Sequence, residues 1–180
     1  MSSRPAVVLI GPPAAGKSRI GKKVAKYLQC EFIDTDSVIV AEHGPIAELF
    51  SNRGEEEFRR IEREVVERAL TANAVVSLGG GAVMNDATRR LLGTHRVALL
   101  TVNAEAAAKR IQGQRRPLLG TGGPQERLAA WQGLVEARSA VYESLASRTW
   151  DTSVRPITVI AGEIGEWAKA EWAREATTTT

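Results

Sequence analysis

The chain has 180 residues, 43% hydrophobic and 25% charged, which suits one well-packed α/β core and is short for two. No uncharged apolar run approaches the roughly 18 residues of a membrane-spanning helix, and the composition is not that of a disordered segment. The net charge of +3 comes from interleaved acids and bases, so neither a nucleic-acid surface nor a membrane partner is expected.

Along the chain, "AVVLI" (6–10) is a predicted strand, followed by the loop "GPPAAGKS" (11–18) and a helix over "GKSRIGKKVAKYL" with Ile20, Val24 and Leu28 four apart. "CEFIDTD" (30–36) is the second strand, and its Cys30, the one cysteine, can form neither an internal disulfide nor a cysteine-built metal site. "EEEFRRIEREVVERAL" (55–70) is helical, burying Phe58, Ile61, Val65 and Leu70. "AVVSLGGG" (74–81) and "RVALLTV" (96–102) are the third and fourth strands. "QGQRRPLLGTGGP" (112–124) follows neither period and reads as a mobile lid. A long helix follows over 124–148, weakened by Gly133. "PITVIAG" (156–162) is the predicted fifth strand, and the "TTTT" tail, about 175–180, is expected to fray. With no apolar leader ahead of the first strand, a cytoplasmic location is expected.

Alternating strands and helices predict an α/β fold: a parallel sheet covered by helices on both faces, with the loops after the strands lining one functional edge. The whole of 1–180 is expected to form a single domain.

On that edge, "GPPAAGKS" completes the pattern G-x-x-x-x-G-K-[ST] through Gly11, Gly16, Lys17 and Ser18, between a strand and an amphipathic helix. The glycines let the backbone curl its N–H groups toward phosphate, Lys17 reaches the β- and γ-phosphates, and the Ser18 hydroxyl is a direct Mg²⁺ ligand. Ala14 and Ala15 occupy variable positions, where small residues are needed and backbone N–H groups do the binding; Ala14 suffers only if its backbone needs positive φ. No Asn-Lys pair of a guanine-reading element occurs, so ATP is the expected co-substrate.

The second strand ends in "DTD". If the chain is still extended there, Asp34 and Asp36 point the same way, one to hold Mg²⁺ through water and the other an acceptor hydroxyl. The alternative is that Asp36 is a helix N-cap, a role that does not need Asp34 as well. Gly79, Gly80 and Gly81 form a run that suits close backbone approach to a ligand.

Together, "GPPAAGKS", "DTD", "GEEEFRRIE", "SLGGGA", "RRPLL", "EARSAVY" and "DTS" resemble the shikimate kinases in order and spacing over about residues 6–160. The resemblance implies a three-layer αβα fold of the nucleoside-monophosphate-kinase type, sheet order 2-3-1-4-5, a substrate-binding helical segment at about 36–62, and monomers. It implies transfer of the γ-phosphate of ATP to the 3-hydroxyl of shikimate, with Mg²⁺ as cofactor. Asp36 then matches the aspartate on the acceptor hydroxyl, Asp34 the one that orients magnesium waters, and Arg59 and Arg138 the clamp on the shikimate carboxylate. Gly79, Gly80 and Gly81 match the segment that contacts shikimate hydroxyls. Arg116 matches the lid arginine on the moving phosphate; Lys17, Asp36 and Arg116 are the catalytic set. Arg110 matches a residue that stacks on adenine, Arg155 another arginine on the ATP side, and Arg19 stands where a threonine is common, on the helix surface or adenine side.

Two alternatives remain open at this stage. One is another small-molecule kinase on this fold, acting on gluconate or a nucleoside monophosphate, although a nucleobase or an uncharged sugar calls for no carboxylate clamp. The other is an ATP-dependent binding module with degenerate chemistry, against which Lys17, Ser18, Asp34 and Asp36 all stand.

Overall fold

The computed structural model describes residues 5–112, 119–120 and 122–178. Five parallel strands, β1 (Val7–Ile10), β2 (Glu31–Asp34), β3 (Ala74–Ser77), β4 (Val97–Thr101) and β5 (Arg148–Asp151), form one sheet in the order β2-β3-β1-β4-β5. Helices α1 (Lys17–Leu28), α2 (Thr35–His43), α3 (Ile46–Ala69), α4 (Asp86–Leu92), α5 (Ala104–Gln112), α6 (Pro124–Leu145) and α7 (Ile157–Thr178) connect and flank it. The expected α/β class and strand order are both present.

β1 and β3, at the centre of the sheet, are buried at every position because both faces are covered, and all but Ser77 of these positions are apolar. Val7, Leu9, Val75, Ala98 and Leu100 face one way, toward Ile20 and Val24 of α1, Ala107 and Ile111 of α5, and Ile160 and Ile164 of α7. Val8, Ile10, Val76, Val97 and Leu99 face the other way, toward Val66 and Ala69 of α3, Leu92 of α4 and Tyr142 of α6. A smaller cluster of Ile39, Leu49, Phe58, Ile61 and Val65 joins α2 to α3. α3 is kinked at Gly54, whose φ of 82° and ψ of 169° no helix contains.

The fifth strand is not where its sequence pattern placed it. "PITVIAG" opens α7, and β5 is the "RTWD" segment before it. Ile157 packs against the core, and Ile160, Ala161, Ile164 and Ala168, buried within it, recur at three and four residues, a helical period that a short β-branched run conceals. β5 is an edge strand with only Trp150 buried, so it carries almost no alternating signal. α7 stays helical through Thr178; the Arg96 guanidinium pairs with Glu175 at 2.5 Å and lies 5.8 Å from the Trp172 ring, tying the last turns back to the start of β4. No helix among the described residues is long and apolar enough to cross a membrane.

Candidate active site

All strands being parallel, their C-terminal ends share one edge, where the loops after β1 and β3 meet residues of α1, α2, α3 and α6 that were singled out in the sequence. The loop after β1 leads into α1 through Gly16, at φ 86°. No side chain caps this helix and no acid lies in its first turn, so its N–H groups and its positive end face the loop. The Lys17 ammonium donates to Gly11 O at 2.8 Å and to Pro12 O at 3.1 Å. Ala14 does adopt positive φ, 69°, a left-handed conformation that disfavours alanine by about 1 kcal/mol. Gly11 meets its own requirement, since a Cβ there would lie 2.2 Å from Leu100 O. Arg19 is exposed in the first turn of α1.

The two aspartates are brought together by a different route from the one expected. β2 ends at Asp34 and α2 begins at Thr35, so the two residues are not alternate positions of one strand. The cap belongs to Asp34: its Oδ1 accepts from Ser37 N at 3.2 Å, while its Oδ2 accepts from the Ser18 hydroxyl. Asp36 is thereby free of capping and points from the first turn of α2 toward β3. Burial and the nearby Asp34 charge hold its carboxyl above the usual aspartate range, against the opposing pull of Lys17 and Arg59.

The glycine run fits around these side chains. A Cβ on Gly79 would lie 2.5 Å from Asp36 Oδ1; on Gly80, 3.4 Å from Arg138 Nη1; on Gly81, 2.9 Å from Arg59 Nη1 and 3.4 Å from Arg138 Nη2. The three glycines therefore form a floor under one carboxylate and two guanidinium groups drawn from α2, α3 and α6. Arg59 lies 5.1 Å over the Phe58 ring, which itself packs on Phe50 at 4.5 Å. Arg138 is 8% exposed, and its Nη1 has no hydrogen-bond partner among the described residues.

Five further residues build this site without having been singled out. Thr35, fully buried, accepts from Gly79 N at 3.0 Å and donates to Ser77 O at 3.3 Å, fastening "DTD" to the glycines. Glu62, 4% exposed, accepts from Arg59 at 2.7 Å; burial raises its carboxyl while Arg59 opposes the rise. Tyr142 donates to Gly80 O at 2.5 Å, one turn beyond Arg138 on α6. Trp131 and Thr152 reach the phosphate loop. Of these, only Glu62 and Tyr142 left a readable signal, at three and four residues from an arginine of the clamp.

On the nucleotide side, Arg110 is half-buried and donates to Ala14 O at 2.9 Å and to Thr152 Oγ1 and O at 3.1 and 2.5 Å. These bonds use the guanidinium edge, and a stacking role would use its face. Arg155 is exposed and paired with Glu163. Arg116 and most of the 112–124 segment lie outside the described residues; Leu119, within it, packs into the core.

Ser18 and Asp34 present a hydroxyl and a carboxylate oxygen within hydrogen-bonding distance of each other beside the phosphate loop. Such a pair of hard oxygen donors fits Mg²⁺, which takes few protein ligands and completes its shell with water and phosphate. No cluster of three or more His, Cys, Asp or Glu side chains that would cage a metal occurs among the described residues.

Residues 13–169 match the family model described as shikimate kinase. The shikimate kinase of Thermobifida fusca is 46% identical over 156 residues, covering 85% of this chain and 88% of that protein. That of Mycobacterium avium is 46% identical over 154 residues, covering 84% and 86%. Among solved structures, the shikimate kinase of Acinetobacter baumannii in complex with shikimate superposes with a TM-score of 0.84 at 28% identity, covering 93% of this chain and 94% of that one.

Proposed function

The chain belongs to the shikimate kinase family, and on that premise we propose that it transfers the γ-phosphoryl group of ATP to the 3-hydroxyl of shikimate, releasing ADP and shikimate 3-phosphate. The observation that carries this reading is Arg138, a buried guanidinium with one unpartnered nitrogen directed at a glycine floor that Arg59 and Asp36 also face. A buried cationic donor without a partner costs free energy that an anion recovers. A small carboxylate held by two guanidinium forks supplies that anion, and the ring that bears it supplies the hydroxyl.

In this reading the phosphate loop and the N-terminus of α1 hold the donor, and Lys17 exchanges its carbonyl partners for β- and γ-phosphate oxygens. Arg59 and Arg138 orient the acceptor by its carboxylate so that its hydroxyl lies against Asp36. The hydroxyl oxygen attacks the γ-phosphorus in line, the bond from phosphorus to the β–γ bridging oxygen breaks with its electron pair leaving on ADP, and the hydroxyl proton passes to Asp36. Burial and the Asp34 charge make Asp36 a stronger base than a solvated aspartate, which suits this step. Ser18 directly, and Asp34 through water, would hold Mg²⁺, which would supply positive charge beside the phosphates. Arg116 is assigned to the charge on the moving phosphoryl group, Arg110, Arg155 and Arg19 to the nucleotide side.

A coupled ADP-release assay with shikimate, gluconate and nucleoside monophosphates as acceptors, with and without chelator, tests the proposal. Shikimate-dependent turnover that chelation abolishes is the expected result. Turnover on another acceptor without turnover on shikimate would overturn it.

A further inference from the structure

Ala14 holds positive φ inside the phosphate loop, where a glycine would do so freely, and the loop's own carbonyls show what keeps it there. Gly11 O and Pro12 O accept from Lys17, Pro12 O also from Ala15 N at 3.3 Å, and Gly16 O accepts from Ile20 N at 2.9 Å. Each of the three carbonyls between them takes its bond from a side chain of a different element outside the loop. Pro13 O accepts from Trp131 Nε1 of α6 at 2.8 Å, Ala14 O from Arg110 of α5 at 2.9 Å, and Ala15 O from the Thr152 hydroxyl after β5 at 2.9 Å.

Two of these donors, Arg110 and Thr152, are interlocked; Trp131 and Thr152 are buried and Arg110 is half-buried. Arg110 also donates to both oxygens of Thr152, and the Thr152 hydroxyl lies 3.0 Å from Thr101 O at the end of β4, so it shares its proton between loop and sheet. Trp131 and Thr152 are 3% and 1% exposed. In a trans peptide the carbonyl and the following N–H point opposite ways. Holding the carbonyls of residues 13, 14 and 15 outward therefore turns the N–H groups of Ala14, Ala15 and Gly16 inward, where the N–H of Ala15 now spans the loop to Pro12 O.

We propose that Trp131, Arg110 and Thr152 are positioning residues that lock the phosphate loop in its anion-binding form, holding Ala14 in the backbone conformation that glycine would adopt unaided. The inference rests on the reading that this loop binds the phosphates of ATP.

The test measures ADP affinity by calorimetry, KM for ATP and for shikimate, and Tm, for Trp131→Phe, Thr152→Val and Thr152→Ser, each with Ala14 and with Ala14→Gly. With Ala14, removing either donor raises the ADP Kd and the ATP KM about tenfold, the loss of one net hydrogen bond plus loop disorder, while the shikimate KM stays within about twofold. Thr152→Ser retains wild-type affinity. With Ala14→Gly the same removals cost about threefold or less, because the unsupported loop keeps its conformation. Equal losses in both backgrounds, an unchanged ATP KM, or a shikimate KM rising in step with a falling Tm would each overturn the inference. Wild-type protein that bound no ADP would overturn the ATP reading itself, whereas wild-type binding with equally tight variants overturns this inference alone.

Discussion

The donor and acceptor halves of this site are built in opposite ways. The phosphate loop is eight consecutive residues whose binding groups are backbone N–H, and every carbonyl from Gly11 to Gly16 already has a partner. The proposed acceptor floor draws Asp36, Arg59, Gly79–Gly81 and Arg138 from four separate stretches, would bind through side chains, and leaves a guanidinium nitrogen unpartnered among the described residues. In the proposed reading the donor loop's carbonyls from Pro13 to Ala15 are held before the ligand arrives, and Lys17 alone changes partners. A group that recognises one acceptor is completed by it.

The largest test of this division is Asp36→Asn. It removes the proton acceptor and should lower kcat about 10³-fold while leaving ADP affinity within about twofold, measured by coupled assay and calorimetry. A collapse of ADP affinity would place Asp36 on the donor side. Arg138→Met should raise the shikimate KM about 10²-fold with little effect on the ATP KM, the loss of a charge-assisted hydrogen bond in a buried setting. Glu62→Gln should act through Arg59, raising the shikimate KM about tenfold in steady-state assays and leaving the ATP KM alone.

Titration sharpens the contrast further. Because burial and the Asp34 charge raise Asp36, the acid limb of kcat/KM for shikimate should fall at a pH above the ordinary aspartate value of about 3.9. The same shift has a stability consequence. A carboxyl raised on folding is disfavoured when charged, so its penalty is present above the folded pKa and absent below the unfolded one. Asp36→Asn should therefore raise Tm at pH 7 and leave Tm unchanged near pH 3.5, read from thermal melts at the two pH values. An equal rise at both pH values would assign the gain to something other than charge.

How legible each half was follows from the same difference. "GPPAAGKS" carries its chemistry in local spacing, and the structure keeps it as a loop between strand and helix. The two acids of "DTD" do lie at the C-terminal edge of the sheet, but not by alternation along a strand, since α2 begins between them and the cap falls to Asp34 rather than Asp36. The fifth strand was displaced because "ITVI" has local β character that only packing against α1 and the sheet overrides. Trp131 packs in the core, yet its indole N–H also holds Pro13 O, 118 residues away.

The parallel α/β class was legible along the chain, as were the loop pattern and the residue types now proposed for donor and acceptor, because these depend on spacing within a few residues or on a pattern of short motifs. That the three glycines lie under Asp36, Arg59 and Arg138, that Thr35 and Tyr142 fasten the glycines while Glu62 fastens Arg59, and that Ala14 is supported by side chains from outside its loop appear only in the folded chain. Those are contacts between segments distant along the chain, and no local period encodes which side chains will meet once the sheet has brought its strand ends to one edge.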